Sequence, residues 1–231
     1  MANEHSSMYD LLFRSKENVS HSCRQGVQIN AGVGDFEYYY SLQDRRLYLH
    51  GGITALEEDD FSDLHVVSKT AAIVEEIIDF NRADRDISPE QRKPIRLYIN
   101  SPGGDVHEGY SLISAIELSK TPIYTINVGL WCSMAFLIGI AGHKRFSLPN
   151  MLFLMHDGMN GAIDSGSKIQ DKMKFDERFQ DEVIKNHVLK HSRMSEARYD
   201  ELRRVEHYML PLDALNEGFI DEIVTDIDTI L

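Results

Sequence analysis

Between Thr121 and Gly142 the chain carries no charged residue, and this run limits the available folds more than any other feature. About twenty residues suffice to cross a bilayer as one helix. Pro122 and Gly129 divide the run, however, and Asn127, Cys132, Ser133, Gly139 and Gly142 interrupt its apolar character. The reading that fits is two buried elements in succession. The first is a strand from Ile123 to Val128, broken by Gly129, and the second a helix from Ser133 through Ala141.

The flanks continue the pattern. Arg45 to Ile53 alternates like a strand and ends in a Gly-Gly turn. Asp63 to Asn81 reads as an amphipathic helix with Leu64, Val67, Ala71, Val74, Ile77 and Ile78 on one face. The charged stretch ADRDISPEQRKP then reads as a surface loop. Arg96 to Asn100 is an apolar strand stopped by Ser101-Pro102-Gly103-Gly104, and Asp105 to Ser119 shows a helical stripe at Val106, Tyr110, Ile113 and Leu118. A further strand ends in LFLMH. Repeated strand–helix–strand order predicts parallel strands joined by right-handed crossovers. Beyond it, a glycine-rich segment precedes a charged helix from about Ser167 to Lys190. Residues 1 to 44 are polar and glycine-interrupted up to the aromatic run Phe36 to Tyr40, which reads equally as a strand, an edge hairpin or a docking surface.

Composition narrows the function classes. At 231 residues one domain is the simplest expectation. A net charge of −13 argues against a phosphate-binding surface, and so against nucleic acid as a partner. Two cysteines, Cys23 and Cys132, supply no disulfide framework and fit a reducing compartment. MANEHSSMYD has neither the basic start nor the apolar core of a signal peptide, so the expected location is the cytoplasm, with no membrane insertion. No metal or cofactor is expected. The chain also lacks a Gly-x-x-x-x-Gly-Lys-Ser/Thr phosphate loop, so any use of ATP belongs to a partner.

Ser133 at the head of an apolar helix, His156 at a strand end and the glycine pair are parts of an acyl-transfer site. They supply a nucleophile, a base and backbone N–H donors at strand ends and helix starts. Each has a plainer explanation. A serine opening a helix commonly just caps it. A histidine ending a strand is more often structural, and the chain has ten histidines. Cys132 is a rival nucleophile by chemistry.

NSPGG, then G-x-x-x-S-M, then KRFSLPN, then a strand ending in MH resemble, in that order, the motifs of the Clp protease proteolytic subunit, the ClpP family of serine peptidases. The likeness runs from about Arg46 to Val224. It implies an α/β fold of ClpP/crotonase-like repeated β-β-α units with a protruding strand–helix handle. A single domain, 1–231, would then divide into an N-terminal extension (1–44), a core (45–158), the handle (159–203) and a C-terminal segment (204–231). The resemblance implies a serine endopeptidase that cleaves unfolded polypeptides, with Ser133 as nucleophile, His156 as general base and the N–H groups of Gly104 and Met134 as oxyanion donors. Cys132 stands where the family usually has the alanine before its serine, and Asp157-Gly158 replaces the usual Gln-Pro. RVEHYMLPLDALNEGFIDEIV resembles the family's C-terminal signature and puts Glu206 where an aspartate normally orients the histidine, with Asp200 and Asp213 as substitutes.

The same resemblance implies a homo-oligomer of stacked heptameric rings, a tetradecamer, fed by an AAA+ unfoldase. Tyr98, Leu118 and Val224 match positions of the pocket that receives the unfoldase's loops, and they serve equally well as sheet and helix core. Two other readings stay open. One is a ring subunit of the same family with impaired catalysis. The other is a crotonase-fold acyl-CoA enzyme, which also builds an oxyanion hole from paired backbone N–H groups.

Overall fold

The computed structural model describes residues 40–41, 44–55, 68–158 and 164–231. In chain order the elements are β1 (Tyr40–Ser41), β2 (Arg46–His50), α1 (Lys69–Ala83), β3 (Ile95–Ser101), α2 (Val106–Leu118), β4 (Ile123–Cys132), α3 (Met134–Ile140), β5 (Lys144–Ser147), β6 (Leu152–Met155), α4 (Gly166–Phe179), α5 (Lys185–Lys190), α6 (Glu196–Leu202), β7 (His207–Met209), α7 (Pro211–Glu217) and β8 (Glu222–Ile223). A π-helical turn, Gln180–Ile184, joins α4 to α5, and a 3-10 turn, Ile227–Ile230, follows β8. The expected α/β class is what is found. Strands β2, β3, β4, β5 and β8 pair in that order, all parallel, and β6 branches from β4 in parallel; β1 and β7 are antiparallel to β2 and β6.

The fork at β4 positions everything that follows. Its first half pairs with β5, from Tyr124↔Lys144 to Asn127↔Ser147, and its second half with β6, from Leu130↔Leu152 to Cys132↔Leu154. The sequence predicts a break at Gly129, but the strand runs through it to Cys132. What the glycine supplies is room: a Cβ there would lie 2.2 Å from Asn100 Oδ1. That oxygen accepts the Leu130 N–H at 3.1 Å, at the level where the β3–β4 register shifts from Ile99↔Asn127 to Ser101↔Trp131. Buried Asn127 serves the other side of the fork, accepting from the Gly129 N–H at 3.0 Å and donating to the Leu152 carbonyl at 3.2 Å. Two side-chain amides thus satisfy backbone groups that the divergence takes out of the ladder, as buried peptide groups require.

Side chains alternate across the sheet. Leu47, Leu49, Ile95, Leu97 and Ile99 face the main core, where α1, α2 and the wholly buried α3 pack. Tyr98 and Ile126 face the other way into a smaller cluster with Phe146, Val224 and Ile230, against which Tyr48 and Tyr124 pack. The Tyr98 hydroxyl donates to the Ile230 carbonyl and so ties the last turn to this face.

Both covering helices are rotated from their predicted faces. α1 buries Thr70, Ile73, Ile77 and Phe80, leaving Ile78 exposed; α2 buries Gly109, Leu112, Ile113 and Ile116, leaving Val106 and Leu118 exposed. Polar bonds between the helices accompany this rotation, and apolar spacing does not record them. Ser68 and Thr70 donate to Glu108, and the Asn81 amide donates to Ser119 Oγ at 2.7 Å. The predicted start of α1 at residues 63–67, with Leu64 and Val67, lies outside the described residues. So do residues 1–39, with most of the aromatic run, and residues 159–163 of the predicted handle. Helix from Gly166 to Lys190, continuous through the π turn, matches the predicted span, yet α4 buries no residue. Among the described residues no helix is long and apolar enough to cross a membrane. The uncharged run is divided between β4 and α3.

Candidate active site

Ser133 links β4 to α3 through a strained backbone, φ 55° and ψ −124°. For a residue other than glycine such a conformation costs roughly 1–3 kcal/mol and persists only where the surroundings dictate it. Here they do. The Ser133 N–H donates to the Leu154 carbonyl at 2.9 Å, extending the β4–β6 pairing, and the helix that follows is buried along its length. The side chain makes no capping hydrogen bond. A plain N-cap role therefore does not explain the residue.

His156 follows the last residue of β6, so the serine and the histidine leave neighbouring parallel strands at the same end. His156 Nδ1 lies 2.9 Å from Glu206 Oε1. An ionised carboxylate only accepts, so Nδ1 carries the proton and Nε2 keeps a lone pair. That Nε2 is buried and has no hydrogen-bond partner, Ser133 Oγ included. Such bonds are often long in the resting enzyme and tighten once substrate is bound.

Glu206 sits just before β7. The Met155↔His207 pair and the bond from the Asp157 N–H to the Arg203 carbonyl, 2.9 Å, fix the chain on either side of it. The two substitute carboxylates are engaged elsewhere: Asp200 pairs with Lys185 at 3.0 Å, and Asp213 accepts from the Leu210 N–H at 3.0 Å. Burial, and after it the charge of Glu206, push the Cys132 thiol up. A nucleophilic cysteine needs the opposite shift.

The glycine turn lies directly against the serine. Gly103 has φ 93° and Gly104 φ 145°. A Cβ on Gly103 would stand 2.6 Å from the Cys132 carbonyl oxygen, 2.8 Å from Ser133 Cβ and 2.9 Å from the Met134 nitrogen; one on Gly104 would stand 1.9 Å from the Ile53 oxygen. The Ile53 N–H donates to the Gly103 carbonyl at 2.9 Å, and the Asp105 N–H to the Ile53 carbonyl at 2.8 Å. This bridge does not use the Gly104 N–H. The sequence marks the glycine pair as a place of close backbone approach, and the resemblance names Gly104 as a donor; neither says that Gly103 is the one packed against Ser133. Tyr98 and Val224 are brought together in the smaller apolar cluster, whereas Leu118 stands outside it, 82% exposed at the end of α2.

Residues 86–226 match the Clp protease family. The chain belongs to the Clp protease family. The ATP-dependent Clp protease proteolytic subunit of Dehalococcoides mccartyi (strain CBDB1) is 33% identical over 156 residues, 66% of this chain and 74% of the relative. That of Leuconostoc citreum is 34% identical over 141 residues, 58% and 68% of the two chains. Proteolytic subunit 2 of Treponema pallidum is 45% identical over 80 residues, 34% and 40%. As a Clp protease family member the chain is a Clp-type serine protease core, and neither the acyl-CoA reading nor the impaired-subunit reading is favoured.

Proposed function

We propose that this single-domain chain is the proteolytic subunit of a self-compartmentalising, cytoplasmic Clp protease and that Ser133, His156 and Glu206 act as its triad. The observation that carries the reading is the Nδ1–Oε1 bond of 2.9 Å, which leaves Nε2 buried and unpartnered on a histidine that leaves the strand paired with the one ending at the strained Ser133. Ser133 Oγ attacks the peptide carbonyl while Nε2 takes its proton. The Glu206 carboxylate holds the imidazole in that tautomer and stabilises the imidazolium. The N–H groups of Gly104 and Met134 donate to the oxyanion. Collapse expels the amine, which takes its proton from Nε2. Water, deprotonated by the same nitrogen, then releases the acyl group from Ser133.

Unfolded polypeptides are the substrates. Stacked heptameric rings enclose the sites, and an AAA+ unfoldase supplies the ATP-driven step. Docking of its loops at Tyr98 and Val224 requires the turn Ile227–Ile230 to move aside, whereas Leu118 is already exposed. A fluorophosphonate probe tests the chemistry. Wild-type protein is expected to be labelled at Ser133, and Ser133→Ala to lose labelling and on the order of a millionfold in peptide turnover. Unreduced peptide cleavage by Ser133→Ala would overturn the assignment.

A further inference from the structure

The base of the handle holds a group of side chains that the peptidase site does not use. Glu117 in the last turns of α2, His187 in α5 and His191 just after it have ligating atoms all within 4.8 Å of one another. Glu117 Oε1 is 2.8 Å from His191 Nε2 and 3.5 Å from His187 Nδ1. Ligand atoms around a tetrahedral zinc with bonds of 2.0–2.1 Å stand about 3.3 Å apart. The two distances bracket that spacing.

The tautomer of His187 follows from its other nitrogen. Nε2 lies 2.9 Å from the Leu137 carbonyl oxygen, which only accepts, so Nε2 carries the proton and Nδ1 keeps a lone pair on the Glu117 side. A backbone carbonyl on the far nitrogen is the usual outer support of a metal-bound histidine. The Nδ1 lone pair faces the Glu117 carboxylate at 3.5 Å in a corner where the His187 side chain is only 5% exposed. His187 and His191 lie one helical turn apart on the same face, and the third group comes from a facing helix. On its open side the cluster borders a cavity of about 470 Å³, lined in part by Glu117, His143, Lys190 and His191, so water has access to complete a coordination shell.

We propose that Glu117, His187 and His191 bind a divalent transition-metal ion of the zinc type, clamping the base of the handle to α2. Two groups oppose entry. His191 Nε2, 2.8 Å from Glu117 Oε1, carries the proton of that contact and must give it up to the other ring nitrogen or to water before it can ligate. Lys190 Nζ sits 2.9 Å from Glu117 Oε1 and must withdraw, which its 62% exposed side chain permits. His187 and His191 stand at helical spacing, but Glu117 is 74 residues upstream of His191, so the sequence alone shows a pair of histidines and not the third group.

The test is zinc binding to the full chain after chelator treatment, followed by equilibrium dialysis against Zn²⁺ and metal analysis. One tightly held Zn²⁺ per chain is expected, together with a visible Co²⁺ spectrum typical of nitrogen and oxygen ligands at low coordination number. His191→Asn, at a half-buried position, and Glu117→Gln, at an exposed one, are each expected to weaken binding at least on the order of a hundredfold. Lys190→Ala is expected to strengthen it, which an ion-pair cluster without metal would not do. Absence of tight binding, binding undiminished in both ligand variants, or weaker binding by Lys190→Ala would overturn the proposal.

Discussion

Shortening Glu206 by one methylene probes the candidate triad at its most unusual residue. The carboxylate meets His156 Nδ1 at 2.9 Å. Aspartate at this position withdraws it by about 1.5 Å, one carbon–carbon bond, leaving a gap of roughly 4 Å that no N–H···O bond spans. The backbone is not free to follow, because the Met155↔His207 pair and the Asp157–Arg203 bond hold it on both sides. Removing the orienting carboxylate of a buried triad costs about 10⁴-fold in turnover. The Glu206 side chain is 54% exposed, so water and salt already screen part of its charge. Glu206→Gln is therefore expected to lose on the order of a thousandfold, and Glu206→Asp, which keeps the charge but not the contact, roughly 10- to 100-fold. The assay is turnover of a fluorogenic peptide at saturation, on protein whose native mass matches that of the wild type. Glu206→Asp as fast as wild type would refute the argument from a fixed backbone. Full activity in Glu206→Gln would remove Glu206 from the triad.

Two further outcomes follow from the same geometry. Gly103→Ala forces a Cβ against the backbone of Cys132 and Met134 at φ 93°. It is expected to cost roughly 2–4 kcal/mol in a chemical melt and to lower turnover about a hundredfold by displacing Ser133; a wild-type melt and rate would count against the close contact. Asp84 accepts two Arg45 bonds at 2.6 Å and the Thr121 hydroxyl at 2.9 Å, and the Arg45 bond holds its carboxyl below the ordinary value of 3.8. The unfolded chain then takes up the proton first on acidification, so this contribution is complete above that value and is lost as pH falls through the lower, folded one. Asp84→Asn is expected to cost about 3 kcal/mol at pH 7 by stranding Arg45, and to flatten the acid limb of stability. Urea melts at pH 7 and pH 3 check it, and a variant as acid-sensitive as the wild type argues against the mechanism.

The sequence is most informative where apolar runs are punctuated. β3, α3 and β6 fall close to their predicted places because Ser101-Pro102, Ser133 and His156 end or begin them. Gly129 misleads because a glycine in a strand announces either a break or a close neighbour, and only the fold brings Asn100 there. Val106, Leu118 and Ile78 mislead for a related reason. The faces that pack are Ile73, Ile77 and Phe80 on α1 and Leu112, Ile113 and Ile116 on α2, and Glu108 and Asn81 bond across at the same rotation, polar contacts that an apolar stripe ignores. The resemblance puts Ser133, His156 and Glu206 in one site. The Glu206 contact needed β7 to fold back antiparallel onto β6, and no local pattern encodes a pairing between chain segments so distant.

Because α4 buries none of its fourteen residues, its order is largely on loan. A helix of that length is marginal alone in water, and pairs such as Lys172–Asp176 and Arg178–Glu182 contribute a few tenths of a kcal/mol each. Its secure end is Phe179, whose ring meets Tyr110 edge-on at 5.3 Å, with His187 and Val188 buried beyond the π turn. Support for α4 is therefore shared and not local: a change beside Tyr110 removes a contact on which the whole helix draws, whereas a change at an exposed position along it removes at most one ion pair.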